Sequence, residues 1–395
     1  MQAQENSVTL GNARIVTPDS VITGNVEIVD GRIARIFEGE TRDAVDCQGD
    51  YILPGLIDVH TDHFEKHAIP RAGVVWNLVT AACSHDAAMI AAGTTTVFDS
   101  LLAGGAGNTA RRNLLIPAVD ALNTAAEWNM LRADHLLHLR CDIVERSSIE
   151  LARKLIDHPK LRFVTFIDDE PARDPERAVM VHERRRGLPK GSLTMPFGPT
   201  EEEDFDSAQT RRAALIDLCE SRGIRAGNHD DTKASHVADA ARLGLKISEF
   251  PITMEAALAA KAAGMTVICG APNLVRGGSH TGNVAVAELL HAGLVDILSS
   301  DYIPASILQA IFLLTTEAFG WTLPDAVALA TRRPAGTFGL TDRGSIEPGL
   351  QADLIRVRLN DGIPAIHTVW RAGHPVISTP LAAQADVVSA PGVAA

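Results

Sequence analysis

The chain carries no basic excess. Its 395 residues hold 36 Lys and Arg against 49 Asp and Glu, a formal net charge of −13. Nucleic acids and anionic membranes both need a basic surface, so neither is an expected partner. Cysteine is scarce and unpatterned. Cys47, Cys83, Cys141, Cys219 and Cys269 are odd in number, widely spaced and without a CxxC pair. This argues against a disulfide framework or a cysteine-built structural zinc site, and suits free thiols in a reducing cytoplasm, the expected location. Residues 1–10 lack the basic-then-apolar pattern of a secretory leader. No apolar run approaches the ~20 residues of a membrane span, because polar residues interrupt the Ala-rich segments. No GxGxxG follows the first buried strand, so the open dinucleotide-binding sheet loses its main signature.

What is present is a large core and a strict alternation. The composition is 46% hydrophobic, enough for a large barrel plus an accessory domain. Residues 8–37 alternate apolar and polar around Asp30-Gly31, a strong hairpin signal. Similar short strands return at Ala352–Val357 and His367–Gly373. Each end alone is short of strands, so the two are expected to build one β-sandwich from residues 1–55 and 341–385. Between them, residues 56–340 alternate apolar strands with helical segments. The strands begin near Leu56, Thr94, His135, Arg162, Ile224, Lys246, Thr266 and Val295, and Gly93, Gly223, Gly244 and Gly264 stand where helices should stop. Eight such units predict an α/β fold, a (β/α)8 TIM-like barrel with its active site at the carboxyl ends of the strands. One connection, at about 169–206, is long, charged and proline-rich, and reads as an arm or lid. Residues 386–395 read as a weakly ordered tail.

The stretch Leu53-Pro54-Gly55-Leu56-Ile57-Asp58-Val59-His60-Thr61-Asp62-His63 organises the rest. Pro54-Gly55 turns the chain into a short buried strand that ends in His60 and Asp62. These are two apart, so their side chains point the same way, and an imidazole with a carboxylate is half of a transition-metal site. The other strand ends are polar too: Asp168-Asp169, Asn228-His229-Asp230-Asp231, Ser248-Glu249, and Ser299-Ser300-Asp301-Tyr302. Singly, an Asp at a strand end more often caps the next helix, and Asp230 and Asp231 read equally well as caps for the helix holding His236. Recurrence at the same end of strand after strand favours one mouth holding one or two divalent metals. His85 is expected to be buried and hydrogen-bonded, His135 and His138 to be structural, Arg140 to reach the mouth, and Trp76 and Trp321 to be packing residues.

Leu53–His60, the split sandwich and the closing Glu347-Pro348-Gly349-Leu350-Gln351-Ala352-Asp353-Leu354 resemble the amidohydrolase superfamily of metal-dependent hydrolases along essentially the whole chain. Within it, five runs are similar to the phosphonate-operon M family. They are His60-Thr61-Asp62 with Glu65-Lys66-His67, Asn228–Asp231, Ile247–Pro251, Gly270–His280 and Leu298–Tyr302. That family cleaves α-D-ribose 1-methylphosphonate 5-triphosphate to the 5-phosphate and pyrophosphate in phosphonate catabolism. The resemblance implies a metal set of His60, Asp62, His229, Glu249, Asp168 and Asp301, with Asp301 also taking the proton from the attacking water. Strand 4 ends without the lysine that bridges metals in some members, and Asp168 stands in its place. The implied cofactor is zinc, one or two ions, with manganese as the alternative, and the implied assembly is a homodimer. A small anionic substrate would be met by Arg276, Lys66, His67, Ser279, His280 and Asp230. The glycines after Arg276 would offer backbone N–H groups to phosphates, and Arg184, Arg185, Arg186 and Lys190 would close from the arm. The rival readings are an amidohydrolase or deaminase acting on a cyclic amide or imide, and a non-catalytic scaffold. A cationic mouth favours the triphosphate anhydride, a neutral one the amide or imide.

Overall fold

A computed structural model describes residues 7–104, 113–143, 145–167, 179–180, 183, 188–189, 191–192, 205–279 and 281–379. The chain ends meet as expected. Ser7–Val16 (β1), Val21–Val29 (β2), Arg32–Phe37 (β3), Val45–Asp46 (β4) and Tyr51–Pro54 (β5) come from the N-terminal end. The barrel strands are Leu56–Thr61 (β6), Thr94–Ala103 (β7), Asp134–Asp142 (β8), Leu161–Ile167 (β9), Arg225–His229 (β10), Ile247–Glu249 (β11), Thr266–Gly270 (β12) and Ile297–Ser299 (β13). Leu354–Asn360 (β14), Ile363–Arg371 (β15) and His374–Ser378 (β16) return to the first group. Hydrogen bonds join that group in one path, β16-β15-β14-β5-β1-β2-β3, with β4 on β1. Asp30 and Gly31 both take positive φ in the β2–β3 hairpin, as the Asp-Gly pair requires. Buried Asp50 locks the two ends together, accepting from Arg356 Nε at 2.6 Å and Arg358 Nε at 2.8 Å.

The barrel strands lie in sequence order, β6 to β13, every pair parallel. All eight begin within about two residues of the positions read from the sequence, because each opens a short apolar run, five of them just after a glycine that ends the preceding helix. The sheet closes where Asp301 N–H donates to His60 O at 3.0 Å and Asp62 N–H donates to Asp301 O at 3.0 Å. The two motifs that carried the resemblance touch: Gly55 N–H donates to Asp353 O at 2.8 Å. Gly55 is required there, since a Cβ would lie 2.2 Å from Thr95 Oγ1.

The barrel interior is layered. At its floor Phe338 packs on Phe98 and Phe163, ring centres 4.8 and 5.1 Å away, among Ile57, Val59, Ile247, Ile268 and Ile297. His138 stacks on Phe163 at 4.2 Å, and the layer above it is polar. An apolar floor under a polar mouth excludes water from one side of the site only.

Two sequence readings change. Trp76 is 59% exposed, beside exposed Val74 and Val75, so it is no packing residue, whereas Trp321 packs on the main core. The segment after β12 is a helix, Ala271–Arg276, because Pro272 presets its first turn and Gly277, at φ 78°, ends it. The N–H groups of Gly277 and Gly278 are consumed capping it, on Leu274 O at 3.1 Å and Asn273 O at 2.8 Å, so neither is available to a phosphate.

Candidate active site

The carboxyl ends of β6, β8, β10, β12 and β13 surround a cleft of roughly 320 Å³, into which His60, Asp62, Arg140, His229, Asp230 and Asp301 project. Behind His60 and His229, outside the cleft lining, lies the buried Glu249. One oxygen lies 2.7 Å from His60 Nδ1 and the other 2.8 Å from His229 Nδ1. Burial favours the neutral acid, but His60, His138 and the two imidazole hydrogen bonds hold Glu249 well below the usual carboxylate range. An ionised carboxylate only accepts, so both Nδ1 atoms carry hydrogen, and in the neutral rings both Nε2 atoms are bare lone pairs. His229 lies above the usual imidazole range: burial opposes this, and Asp230 and Glu249 outweigh it. Phe250 covers both rings, centroids 4.7 Å from His60 and 5.4 Å from His229. His138 lies deeper, with Nδ1 2.8 Å from Ser100 Oγ and Nε2 2.8 Å from Thr165 Oγ1, and burial drives its pKa far down.

Three strand ends are bent in the same way. Asp230, Phe250 and Asp301 all have positive φ, at 62°, 53° and 53°. Asp tolerates this region and Phe does not, so the turn at Phe250 is backbone strain held in place by the barrel, as functional sites often store. Burial raises the pKa of Asp301, with Asp62 adding to it and His60, Arg140 and His229 opposing.

His60, His229 and Glu249 bring ligand atoms within 4.8 Å of one another. Beside them, Asp62 Oδ1 is buried and has no hydrogen-bond partner. Imidazole nitrogens with carboxylate oxygens are the donor set of zinc and its first-row neighbours, so the residues fit a divalent metal.

The structure brings together His60, Asp62, His229, Glu249, Asp230 and Asp301, with Ser279 on the rim. Others stand apart. Arg276 is exposed at the end of its helix, outside the cleft lining. Lys66 donates to Tyr302 O at 2.6 Å, and His67 faces His63 rather than the cleft. Asp168, His280, Arg184, Arg185, Arg186 and Lys190 lie outside the described residues. Neither Asp230 nor Asp231 caps the helix Ala234–Arg242, whose cap is Lys233; Asp231 accepts from Asn228 Nδ2 at 2.9 Å instead. Arg140 reaches the mouth, 3.6 Å from Glu65, and its Nε is buried without a partner. It is the one cation lining the cleft among the described residues.

A second buried network lies behind β7. His85 Nε2 and His135 Nδ1 hold the two oxygens of Asp99 at 2.8 and 2.9 Å, and Arg132 pairs with Asp86 at 2.9 Å. Burial alone would lower the pKa of His135, but Asp99 and Asp86 raise it to about 9. A raised folded-state pKa gives stability that is complete below about pH 6.5 and lost as pH climbs through 9. The shift corresponds to on the order of 3 kcal/mol. Urea unfolding should therefore weaken from pH 6.5 to 9 in the wild type and change less in His135→Gln; equal pH dependence in both would refute the assignment.

A parallel barrel with an imidazole–carboxylate cluster at its mouth, beside a sheet built from both chain ends, defines the class: a metal-dependent hydrolase. An amidohydrolase family model matches residues 187–377. Alpha-D-ribose 1-methylphosphonate 5-triphosphate diphosphatase of Escherichia coli (strain K12) is 38% identical over 93% of this chain and 99% of its own. An imidazolonepropionase of Ruegeria sp. is 26% identical over 79% of each chain. The structure of a mutant N-acetyl-D-glucosamine-6-phosphate deacetylase from Mycobacterium smegmatis superposes with a TM-score of 0.63 at 16% identity, covering 95% of this chain and 100% of that one, a likeness of fold. The chain belongs to the amidohydrolase family.

Proposed function

We propose that the chain hydrolyses α-D-ribose 1-methylphosphonate 5-triphosphate to the 5-phosphate and pyrophosphate, with zinc as its metal. The observation that carries this is the 38% identity to the E. coli diphosphatase over nearly the full length of both chains. His60 and His229 would hold the metal through their bare Nε2 atoms, with Asp62 and Asp301 supplying oxygens. A divalent cation there supplies Lewis-acid polarisation and a water of lowered pKa. Asp301, its proton affinity raised by burial, accepts the proton of the attacking water at a carboxylate oxygen. Glu249 fixes both imidazoles from below and keeps their tautomers. The apolar floor around Phe338 closes the site to water from beneath.

Arg140 is assigned to the phosphoryl oxygens. Its side chain lines the cleft, its buried Nε has no partner, and its Nη2 lies 3.6 Å from Glu65. Losing a hydrogen bond to a charged group costs about 1.5–3 kcal/mol, so Arg140→Ala should raise KM roughly 10- to 100-fold, with partial recovery in Arg140→Lys. An unchanged KM for the triphosphate would remove Arg140 from the substrate site.

The test of the function is pyrophosphate release from the ribose triphosphate by metal-loaded protein, followed by phosphorus NMR. One feature favours the second reading, hydrolysis of a cyclic amide or imide: Arg140 is the single cation lining the described mouth. No pyrophosphate, with turnover of a hydantoin or dihydropyrimidine, would select it.

A further inference from the structure

We propose that His63, His67 and His85 form a second metal site, for a divalent first-row transition ion, separate from the cluster at the barrel mouth. Each of these imidazoles has a buried ring nitrogen with no hydrogen-bond partner: Nδ1 of His63, Nε2 of His67 and Nδ1 of His85. Buried polar atoms are nearly always satisfied, and three orphans of one chemical kind in one place call for a shared partner. The rings face one another, with centroids 4.8 Å apart for His63–His67, 5.7 Å for His63–His85 and 6.3 Å for His67–His85.

Local structure explains the grouping. His63 and His67 are four residues apart on the helix His63–Ala68, which places both on one face. His85 is fully buried on the neighbouring helix Leu78–Ala91. Its Nε2 is tied to Asp99, an acceptor-only carboxylate, so Nδ1 is the bare lone pair. A carboxylate that orients a histidine through its far nitrogen is the usual support for a metal ligand. At a Zn–N distance of about 2.0 Å, three ligating rings would have centres about 5 Å apart, so a metal would draw His63 and His67 towards His85 and turn their rings.

Asp99 with His85 and His135 brings ligand atoms within 4.8 Å, closer than the three imidazoles stand in the metal-free chain. That group is already satisfied by its own hydrogen bonds at 2.8 and 2.9 Å, and it serves as the orienting support. The second site shares no ligand with His60, His229 or Glu249, so it is not the partner ion of a bridged pair. Three imidazoles leave a position for water and suit zinc, cobalt, nickel or copper. A metal there would staple together two helices, the first of which has Asp62 as its N-cap. The inference stands whatever the substrate proves to be.

The experiment is cobalt(II) and zinc titration of the full, metal-stripped chain. With the mouth disabled by His60→Asn and His229→Asn, one cobalt equivalent should still bind, with the visible absorption of a low-coordinate ion. Adding His67→Asn should abolish it. His67→Cys should restore it with a thiolate charge-transfer band, a signature that general destabilisation cannot produce. If the mouth variant does not fold, the comparison is wild type against His67→Asn, which should bind one equivalent less. Cobalt stoichiometry and spectrum unchanged by His67→Asn would overturn the site, as would a folded mouth variant that binds no metal.

Discussion

Asp301→Asn is expected to slow pyrophosphate release about 10²- to 10⁴-fold, the usual contribution of a positioned general base. The substitution isolates chemistry from folding. Asp301 has φ 53°, a conformation that Asn shares with Asp, so the backbone bend is kept. The barrel closure at this residue is made by its main chain, N–H to His60 O and O from Asp62 N–H, which the side chain does not enter. What is lost is a carboxylate whose proton affinity burial has raised, facing the cleft beside Asp62 and His229. The carboxamide retains an oxygen for a cation but cannot hold a proton. The loss should therefore appear in kcat rather than KM, with melting temperature close to wild type. A kcat within tenfold of wild type, in a protein shown to contain metal, would move the base elsewhere and end the role given to Asp301.

The site could be read from sequence where the information is local. His60, His229 and Asp301 stand at strand ends, and strand ends are legible because each closes a short apolar run and precedes a helix. Glu249 was legible as a polar group at strand 6, but its purpose was not. That purpose depends on the distance from one carboxylate to two imidazoles 189 and 20 residues away. His138 read as structural, and the structure places it under Glu249, its Nε2 3.9 Å from that carboxylate. Whether a mid-strand side chain faces inward or outward depends on barrel register, which no single strand encodes. Arg276 shows where local reading misleads about the backbone. Its neighbours Gly277 and Gly278 suggested a phosphate loop, yet Pro272 starts a helix that uses their N–H groups. The His63, His67 and His85 group had one sequence clue, the four-residue spacing of the first two; the third member comes from another helix.

Glu249→Gln is expected to weaken metal binding by about 10- to 100-fold, the usual effect of removing the group that orients a metal-ligating histidine. The reason is a count of protons. Glu249 accepts from both Nδ1–H groups, which leaves both Nε2 atoms free to ligate. A glutamine offers one oxygen acceptor and one NH2 donor in the same space. The oxygen can keep one imidazole in its present tautomer. The NH2 group faces the other Nδ1, so that ring must move its proton to Nε2 or lose a buried hydrogen bond. A ring protonated on Nε2 cannot ligate through it, and one of the two imidazoles is withdrawn from the metal. Glu249→Asp should do less harm, since it keeps both acceptors and shortens the reach by one methylene. Competition with a chromophoric chelator would measure the affinities, and nitrogen NMR of the metal-free imidazoles would report the tautomers. Equal affinity in Glu249→Gln and wild type, with both rings still protonated on Nδ1, would show that His60 and His229 hold their orientation without the carboxylate beneath them.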